Sequence, residues 1–217
     1  MNARSFSPRL ILLPLAVVII GLWGCATPRQ GAPLPQVTVG VAEFTQPQTT
    51  GDMLAGYMAE NTPRVSSQTM MQLNEALGEV LRGETERTYA STETYLQCTD
   101  AKAPGQGSGR VAALKHWIAV GNCMKVDFLV VPQIMEYHER EGGEAGVTRP
   151  AGVVMNVYLV DVKNEVLTSR SHYDETQAPL ASNLLETGKF ISRGAKWVTG
   201  VELAKEGLRK AIKDLGL

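Results

Sequence analysis

The three histidines are the first residues to consider for catalysis, because a neutral imidazole can act as a base or bind a metal. His172 lies in the segment "SHYDE", close to Asp174. This pair could be the base of a hydrolase or part of a metal site, although an ordinary strand end explains it as well. His116 lies beside the buried stripe of a predicted helix and His138 in the outer half of a predicted strand, so we expect structural roles for both. With no G-x-S-x-G, H-E-x-x-H or C-x-x-C motif in the chain, we predict no catalysis and no cofactor.

Two of the three cysteines, Cys98 and Cys123, lie in the body of the chain. In an oxidising compartment such a pair tends to be joined, and the bridge would close a loop of about 25 residues, worth about 3 kcal/mol in the chain-entropy model. Two separate thiols, one buried and one not, are the alternative. No third and fourth ligand lie at a spacing suited to zinc, so no metal site is expected.

The amino terminus has the pattern of an export signal. "MNARSFSPR" carries Arg4 and Arg9 without an acid, and an apolar stretch of about 14 residues follows, interrupted by Pro14. A membrane-spanning helix needs about 20 apolar residues, whereas a signal-peptide core needs about 7–15. We therefore predict export and not a spanning helix.

The end of this stretch, Leu22-Trp23-Gly24-Cys25, resembles the lipobox of bacterial lipoproteins, although Trp23 stands where a small residue is usual. The resemblance implies that the Cys25 thiol receives a diacylglyceryl group, that the chain is cut before it, and that the new amine is acylated. Several acyl chains give a stable anchor. Ala26, in place of Asp, implies the outer membrane and its periplasmic face. An ordinary secretory signal with an incidental Cys25 is the alternative.

The chain divides into a signal peptide at 1–24, a lipidated proline-rich tether at 25–36 and one domain at 37–217. Removing the signal takes away two arginines and leaves 19 basic against 22 acidic residues, a net charge near −3. Because there is no basic block, we expect no nucleic-acid binding.

Hydrophobic periodicity predicts an α/β domain. Val37 to Phe44 forms a strand, residues 66–83 a helix, Thr85 to Cys98 a short strand with a connection, and residues 108–125 a helix. Three strands follow in a meander, at residues 126–141, 151–162 and 165–177, and the predicted final helices are Leu180 to Glu186 and one beginning at Thr199. We expect an α/β sandwich of three layers or fewer, with a mixed sheet, an antiparallel meander and helices mainly on one face.

Several positions make this prediction specific. Ser66 or Ser67 should cap the first long helix and Gly83 should end it in a left-handed conformation. Thr199 and Glu202 form a capping box. Ser108 should cap the 108–125 helix, whose buried stripe should consist of Val111, Leu114, Trp117 and Ile118. Pro132 should lie at an edge or a bulge of the sheet. Asn164 should have the positive φ of a tight turn.

The order of these elements behind a lipobox resembles a group of envelope lipoproteins and related domains. It includes the curli-secretion lipoprotein CsgG, the lipoprotein activators of penicillin-binding proteins and the amino-terminal domain of TolB. The resemblance is carried by "VTVGVAEF", "LNEALGEVL" and "MKVDFLVVPQIMEY" followed by "VVMNVYLVDVKNEVL", with Asp127 and Asp161 at family positions and Pro132 replacing a common Gly. It spans roughly Val37 to Tyr173.

These features predict a lipid-anchored periplasmic protein that contacts an unidentified envelope protein in envelope assembly or maintenance. "YMAENTPR" and "REGGEAG" are candidate contact loops, and the tail "DETQAPLASNLLE" could cover a sheet edge or recruit a partner. One alternative is a CsgG-like oligomeric secretion component. The segments Gln46 to Pro63 and Glu139 to Pro150 do not have the length and the apolar composition of the hairpins that form a pore wall. A homo-oligomer without such a wall remains an alternative. The other alternative is a periplasmic hydrolase at His172 and Asp174.

Overall fold

The computed structural model describes residues 37–59, 61–101, 109–177 and 187–217. The signal peptide, Cys25, the tether, the predicted cap at Ser108 and the predicted helix Leu180 to Glu186 lie outside these ranges. Within them, no helix combines the length and the hydropathy needed to cross a membrane.

A four-stranded mixed sheet forms the centre of the domain, which confirms the predicted α/β class. Its strands are β1 (Val39–Val41), β2 (Phe128–His138), β5 (Gly152–Asp161) and β6 (Val166–Thr176), in the spatial order β1-β2-β5-β6. β1 pairs with β2 in parallel, while β2, β5 and β6 form the predicted antiparallel meander. Two short strands, β3 (Glu141–Gly142) and β4 (Val147–Arg149), make a small separate hairpin at the tip between β2 and β5.

Helices cover both faces of this sheet, which differs from the prediction of helices mainly on one face. The long helices α1 (Ser67–Glu84) and α5 (Gly200–Leu215) pack on one face, and α2 (Thr92–Ala101) and α3 (Arg110–Met124) pack on the other. The short helix α4 (Thr187–Ser192) precedes α5. The physical reason is visible in the central strands, where neighbouring side chains such as Val130 and Val131 are buried in opposite layers. An uninterrupted apolar strand needs cover on both faces.

The predicted N-terminal caps of the two long helices are confirmed. The Ser66 hydroxyl accepts a hydrogen bond from the Thr69 N–H at 3.1 Å. Thr199 and Glu202 form the predicted capping box at the start of α5. The predicted end at Gly83 is wrong, because α1 continues to Glu84 and the extended residue Thr85 closes it with a backbone and a hydroxyl hydrogen bond to the Leu81 carbonyl.

The segment from Thr85 to Cys98, predicted as a strand, is mainly helical. Only Tyr89 makes a strand-like bridge, to Val39 in β1. α2 then begins at Thr92, with the Ser91 hydroxyl accepting from the Thr94 N–H. The helix is favoured because its one-turn spacing places Tyr95 and Cys98 together in the buried layer.

The local predictions at Pro132 and at Asn164 have different outcomes. Pro132 lies beyond the end of the β1–β2 ladder, which stops at Val130, and its carbonyl accepts from the Thr45 N–H, so its missing N–H breaks no bond of that ladder. In the β5–β6 turn the positive φ falls on Glu165 and not on Asn164, because the Asn164 backbone and side-chain N–H groups both bind the Asp161 carboxylate.

The stripe predicted for α3 is partly wrong. Trp117 and Ile118 are buried and Leu114 packs against the same layer, but Val111 is 68% exposed. α3 instead buries Ala113, Val120 and Met124. Small Gly121, also buried, lets the helix approach Val162 closely, since a Cβ there would meet the Val162 side chain.

Candidate functional site

The two body cysteines lie in the layer formed by α2 and α3. Cys98 on α2 is buried, and the structure joins it to Cys123 on α3 by a disulfide, with the Cα atoms 5.6 Å apart. Both residues pack in the apolar cluster on that face of the sheet. The bridge therefore joins α2, the shorter of the two helices in this layer, directly to α3. α3 in turn packs against β2 and β5.

His172 lies on β6 but does not form a hydrogen-bonded pair with Asp174 in the described structure. Its Nδ1 is 2.8 Å from Asn156 Oδ1, which also accepts a hydrogen bond from Arg170 Nε at 2.9 Å. Burial and, after it, the positive charge of Arg170 lower the pKa of the His172 imidazole, whereas Asp174 only opposes this shift. The ring is therefore neutral at pH 7 and is held by an amide.

His138 packs at the end of β2 over its register partner Gly152. A Cβ at Gly152 would collide with the imidazole ring, so the glycine is required for this packing. The Nδ1 atom of His138 is buried without a hydrogen-bond partner. This geometry gives His138 the structural role expected from the sequence.

His116 lines a cavity of about 620 Å³ beside Gln133, in the middle of β2. The cavity, which we call the His116 cavity, lies between the loop at residues 45–52, α2, the beginning of α3 and β2. The side chains that matter for its chemistry are Thr45, Asp52, Tyr95, His116, Trp117 and Gln133. Its volume falls in the range of small-molecule sites, which is roughly 300–1,000 Å³.

Three residues that line this cavity carry buried polar atoms without a hydrogen-bond partner. They are Thr45 Oγ1, His116 Nδ1 and Gln133 Oε1. Gln133 is 2% exposed, and its Nε2 donates to the Asp52 carbonyl at 3.1 Å, which fixes the orientation of the amide. Buried polar groups are nearly always paired, so three unpaired atoms around one cavity indicate an unfilled requirement for hydrogen bonds.

The electrostatics of the cavity wall are mixed. Burial lowers the pKa of His116, so its imidazole is neutral at pH 7. For Asp52, burial acts to raise the pKa, but hydrogen bonds from the Thr49 and Gln48 N–H groups outweigh it and lower the pKa, so the carboxylate is ionised. α3 begins at the edge of the cavity with Gly109, at φ 90°, and has no side-chain cap.

A second feature is an exposed aromatic residue on a fixed loop. Tyr57 is 75% exposed, whereas Met53 and Leu54, a few residues earlier, are buried in the domain. Between them, the Ala55 carbonyl accepts from the Tyr158 hydroxyl and the Gly56 carbonyl from Arg110. The loop is therefore held at several points while the tyrosine ring remains in solvent.

Tyr57 adjoins a charged row on β6. The surface formed by Gly56, Tyr57, Ala59, Thr62, Arg170, His172 and Asp174, which we call the Tyr57 surface, encloses a shallow groove of about 480 Å³. The sequence predicted "YMAENTPR" as a contact loop and His172 with Asp174 as an alternative site. The structure places these two segments side by side, apart from Glu60, which lies outside the described residues.

The segment after the tail, residues 187–198, is attached to the end of β6. Arg193 binds Glu175 at 3.2 Å and Glu206 at 2.8 Å, and Lys189 also binds Glu175. Gln177 donates to the Lys196 carbonyl and accepts from the Val198 N–H. Residues 187–198 are thus built into the domain. The prediction that the tail "DETQAPLASNLLE" covers a sheet edge falls mainly on residues 178–186, which lie outside the described residues.

Neither candidate pore segment forms long strands where it is described. The segment Gln46 to Pro63 holds a short helical turn, Thr50–Asp52, and otherwise loop, and Glu139 to Pro150 holds only the short β3–β4 hairpin. Among the described residues, no group of three or more His, Cys, Asp or Glu side chains could hold a metal ion.

Sequence reasoning missed the His116 cavity as a site. Its lining comes from four separated segments, and nothing in the local pattern distinguishes Gln133 from other polar residues of a strand. The one available signal was a glutamine inside the otherwise apolar run Leu129 to Met135.

Comparison with known proteins gives only distant structural similarities. No protein-family model and no curated protein matches the chain. Among solved structures, the PelC dodecamer from Paraburkholderia phytofirmans is 11% identical, with a TM-score of 0.43 over 87% of this chain and 95% of that one. A point variant of that dodecamer is 10% identical, with a TM-score of 0.45 over 87% and 94% of the two chains. The hypothetical protein CT253 from Chlamydia trachomatis is 14% identical, with a TM-score of 0.38 over 81% and 92%.

Proposed function

We propose that this protein is a lipid-anchored interaction module on the periplasmic face of the outer membrane, which contacts another envelope protein through the Tyr57 surface. The anchor is proposed from the sequence at Leu22 to Cys25, which resembles a lipobox. The role in envelope assembly or maintenance follows from that location and from the resemblance to envelope lipoproteins with this order of elements.

The disulfide supports the compartment in this proposal. Cys98 and Cys123 are joined in the structure, and disulfides persist in the bacterial periplasm but are rare in the cytosol. A bridged domain behind an export signal fits a protein that works outside the inner membrane. The predicted tether of residues 25–36, rich in proline, would hold the domain away from the bilayer.

The observation that carries the interaction role is the exposure of Tyr57 directly after loop residues that are fixed in the domain. Tyrosine is enriched among the residues that dominate binding energy at protein interfaces, since it supplies a large contact area with few rotatable bonds. A loop already fixed by Leu54, Ala55 and Gly56 loses little conformational entropy on binding. The Tyr57 surface is therefore pre-organised for a partner.

The alternative of a hydrolase has less support at the same place. A catalytic base is usually oriented by an acid, whereas the Nδ1 of His172 is bound to the Asn156 amide. His172 serves equally well as part of a contact surface, where its neutral ring and the neighbouring Arg170 and Asp174 offer polar contacts at the rim.

Site-specific photo-crosslinking in intact cells tests the interaction role. A photoreactive amino acid replaces Tyr57 in one strain and Met71, which is 65% exposed on α1, in a control strain. We expect one discrete crosslinked partner from position 57 and none from position 71. Equal labelling from both positions would contradict a specific Tyr57 surface, and a product that contains only this protein would favour the oligomeric alternative.

A further inference from the structure

We propose that the His116 cavity binds a neutral ligand through an amide group, whose C=O and N–H match the donors and acceptors left without partners in the cavity wall. This site lies on a different part of the domain from the Tyr57 surface, and it does not depend on the proposed anchor. The ligand class is argued from the wall of the cavity alone.

Gln133 sets the first requirement. Its Nε2 is already bound to the Asp52 carbonyl, so the remaining Oε1 can only accept. The atom is buried and has no partner, and a ligand that fills it must bring an N–H or O–H donor. Leaving such an acceptor unpaired is costly, which gives the site a preference for ligands with a donor at this position.

Thr45 and His116 set the second requirement. The N–H groups of Ala112 and Ala113, which line the cavity at the beginning of α3, already bind the Gly109 carbonyl. The donors that remain in the wall are the Thr45 hydroxyl and, in one tautomer, His116 Nδ1, both buried without a partner. Such donors favour a carbonyl oxygen or an anion as their acceptor.

Asp52 decides between these two acceptors. Asp52 lines the same cavity and carries an ionised carboxylate, held by Gln48 and Thr49, while His116 is neutral, so an anion would gain no cationic partner and would lie near a like charge. A neutral carbonyl avoids this repulsion. A donor and a carbonyl in one neutral group define an amide, and the walls formed by Tyr95, Trp117 and Ala113 provide apolar contact around it.

Two common sources supply such a group in an envelope, namely a peptide and an N-acetylated sugar. We would record ¹H–¹⁵N spectra of the full chain purified in detergent, following the Trp117 indole and the Gln133 side-chain amide. The probes are N-acetylglycinamide, N-acetylglucosamine and, as the anionic control, acetate. Whichever amide binds more tightly identifies the source, and both results support the site.

Matched substitutions on α3 keep the test specific. Ala112→Met fills the cavity from its wall, whereas Val111→Met places the same side chain one residue earlier, where the position is exposed. We expect Ala112→Met to weaken amide binding by about tenfold or more and Val111→Met to leave it unchanged. Gln133→Met, which removes the buried acceptor, should weaken binding by about tenfold.

Three results would overturn the proposal. The first is the absence of spectral shifts with both amides up to about 50 mM, a concentration at which weak fragments still bind. The second is binding of acetate as tight as that of the amides. The third is unchanged amide binding by the Ala112→Met chain. If Gln133→Met fails to fold, the Ala112→Met and Val111→Met chains still test whether the amide binds in the cavity. Cys25→Ala leaves this cavity intact, so failure here is separate from failure of the anchoring proposal.

Discussion

Gln133 on β2 donates a hydrogen bond of 3.1 Å to the carbonyl of Asp52, joining the centre of the sheet to a loop 81 residues earlier in the chain. This bond fixes the loop at the point where it forms one wall of the His116 cavity and turns towards Tyr57. The His116 cavity therefore depends on a contact between a buried polar strand residue and a short helical turn.

The approach of α5 to the sheet depends on Gly207. A Cβ at this position would lie 2.6 Å from the Tyr173 ring and against the Met155 methyl group. We expect Gly207→Ala to lower the free energy of unfolding by about 1–3 kcal/mol, because overpacking outweighs the better helix propensity of alanine. Gly83→Ala on α1, where nothing lies within 4 Å, should instead raise stability by up to about 1 kcal/mol. Urea denaturation measures both, and a stabilised Gly207→Ala chain would show that α5 does not pack at this distance.

The Cys98–Cys123 disulfide should contribute about 3 kcal/mol to stability. We expect the Cys98→Ser/Cys123→Ser chain, and the wild-type chain under reducing conditions, to unfold at similarly lower denaturant concentrations. The double variant itself should not respond to the reductant, which serves as the control. Identical unfolding midpoints for oxidised and reduced wild type would mean that the bridge is absent or carries no stability.

The capping box of α5 predicts a dependence of stability on pH. Burial tends to raise the pKa of Glu202, but the hydrogen bonds from the Thr199 N–H and hydroxyl outweigh it and hold the pKa below the usual 4.5. A carboxyl with a lowered folded-state pKa contributes stability above its unfolded pKa and loses it as the pH falls through the folded pKa. Glu202→Gln keeps an acceptor for the capping box but removes its charge, so it should cost about 0.3–1 kcal/mol at pH 7, and this difference should shrink below pH 4.5. A difference that stays constant down to acidic pH would argue against an ionised cap.

The state of His172 can be followed directly by NMR. We expect its pKa to lie below 6.5, because it is partly buried and faces Arg170. Arg170→Gln should raise that pKa, whereas Lys163→Gln, a substitution on the β5–β6 turn, should leave it unchanged. A wild-type value at or above 6.5 would indicate that Asp174, and not Arg170, dominates the environment of the ring, and would revive the hydrolase alternative.

The long elements were predictable because local signals and burial agree in them. The capping residues Ser66 and Thr199 mark the starts of α1 and α5, and the apolar run of β5 and the alternation of β6 meet at a tight turn. The helix α2 was missed because Tyr95 and Cys98 stand among threonines, which favour strands, while packing and the Cys98–Cys123 bridge support the helix. Here tertiary contacts override local propensity.

The distribution of helices and the His116 cavity could not be read from single segments. The continuous apolar run at Leu129 to Val131 requires cover on both faces, and the prediction of helices mainly on one face did not take this requirement into account. The cavity is formed where Thr45, His116 and Gln133 meet, and their shared lack of hydrogen-bond partners exists only in three dimensions.

The most direct test of the proposed anchored module is fractionation of intact cells that express the wild-type chain or Cys25→Ala, with metabolic labelling by a palmitate analogue. We expect the wild-type protein to carry the label and to sediment with the outer membrane, and the Cys25→Ala protein to be unlabelled and no longer to sediment there. A wild-type protein recovered unlabelled in the soluble periplasmic fraction would contradict the lipid anchor.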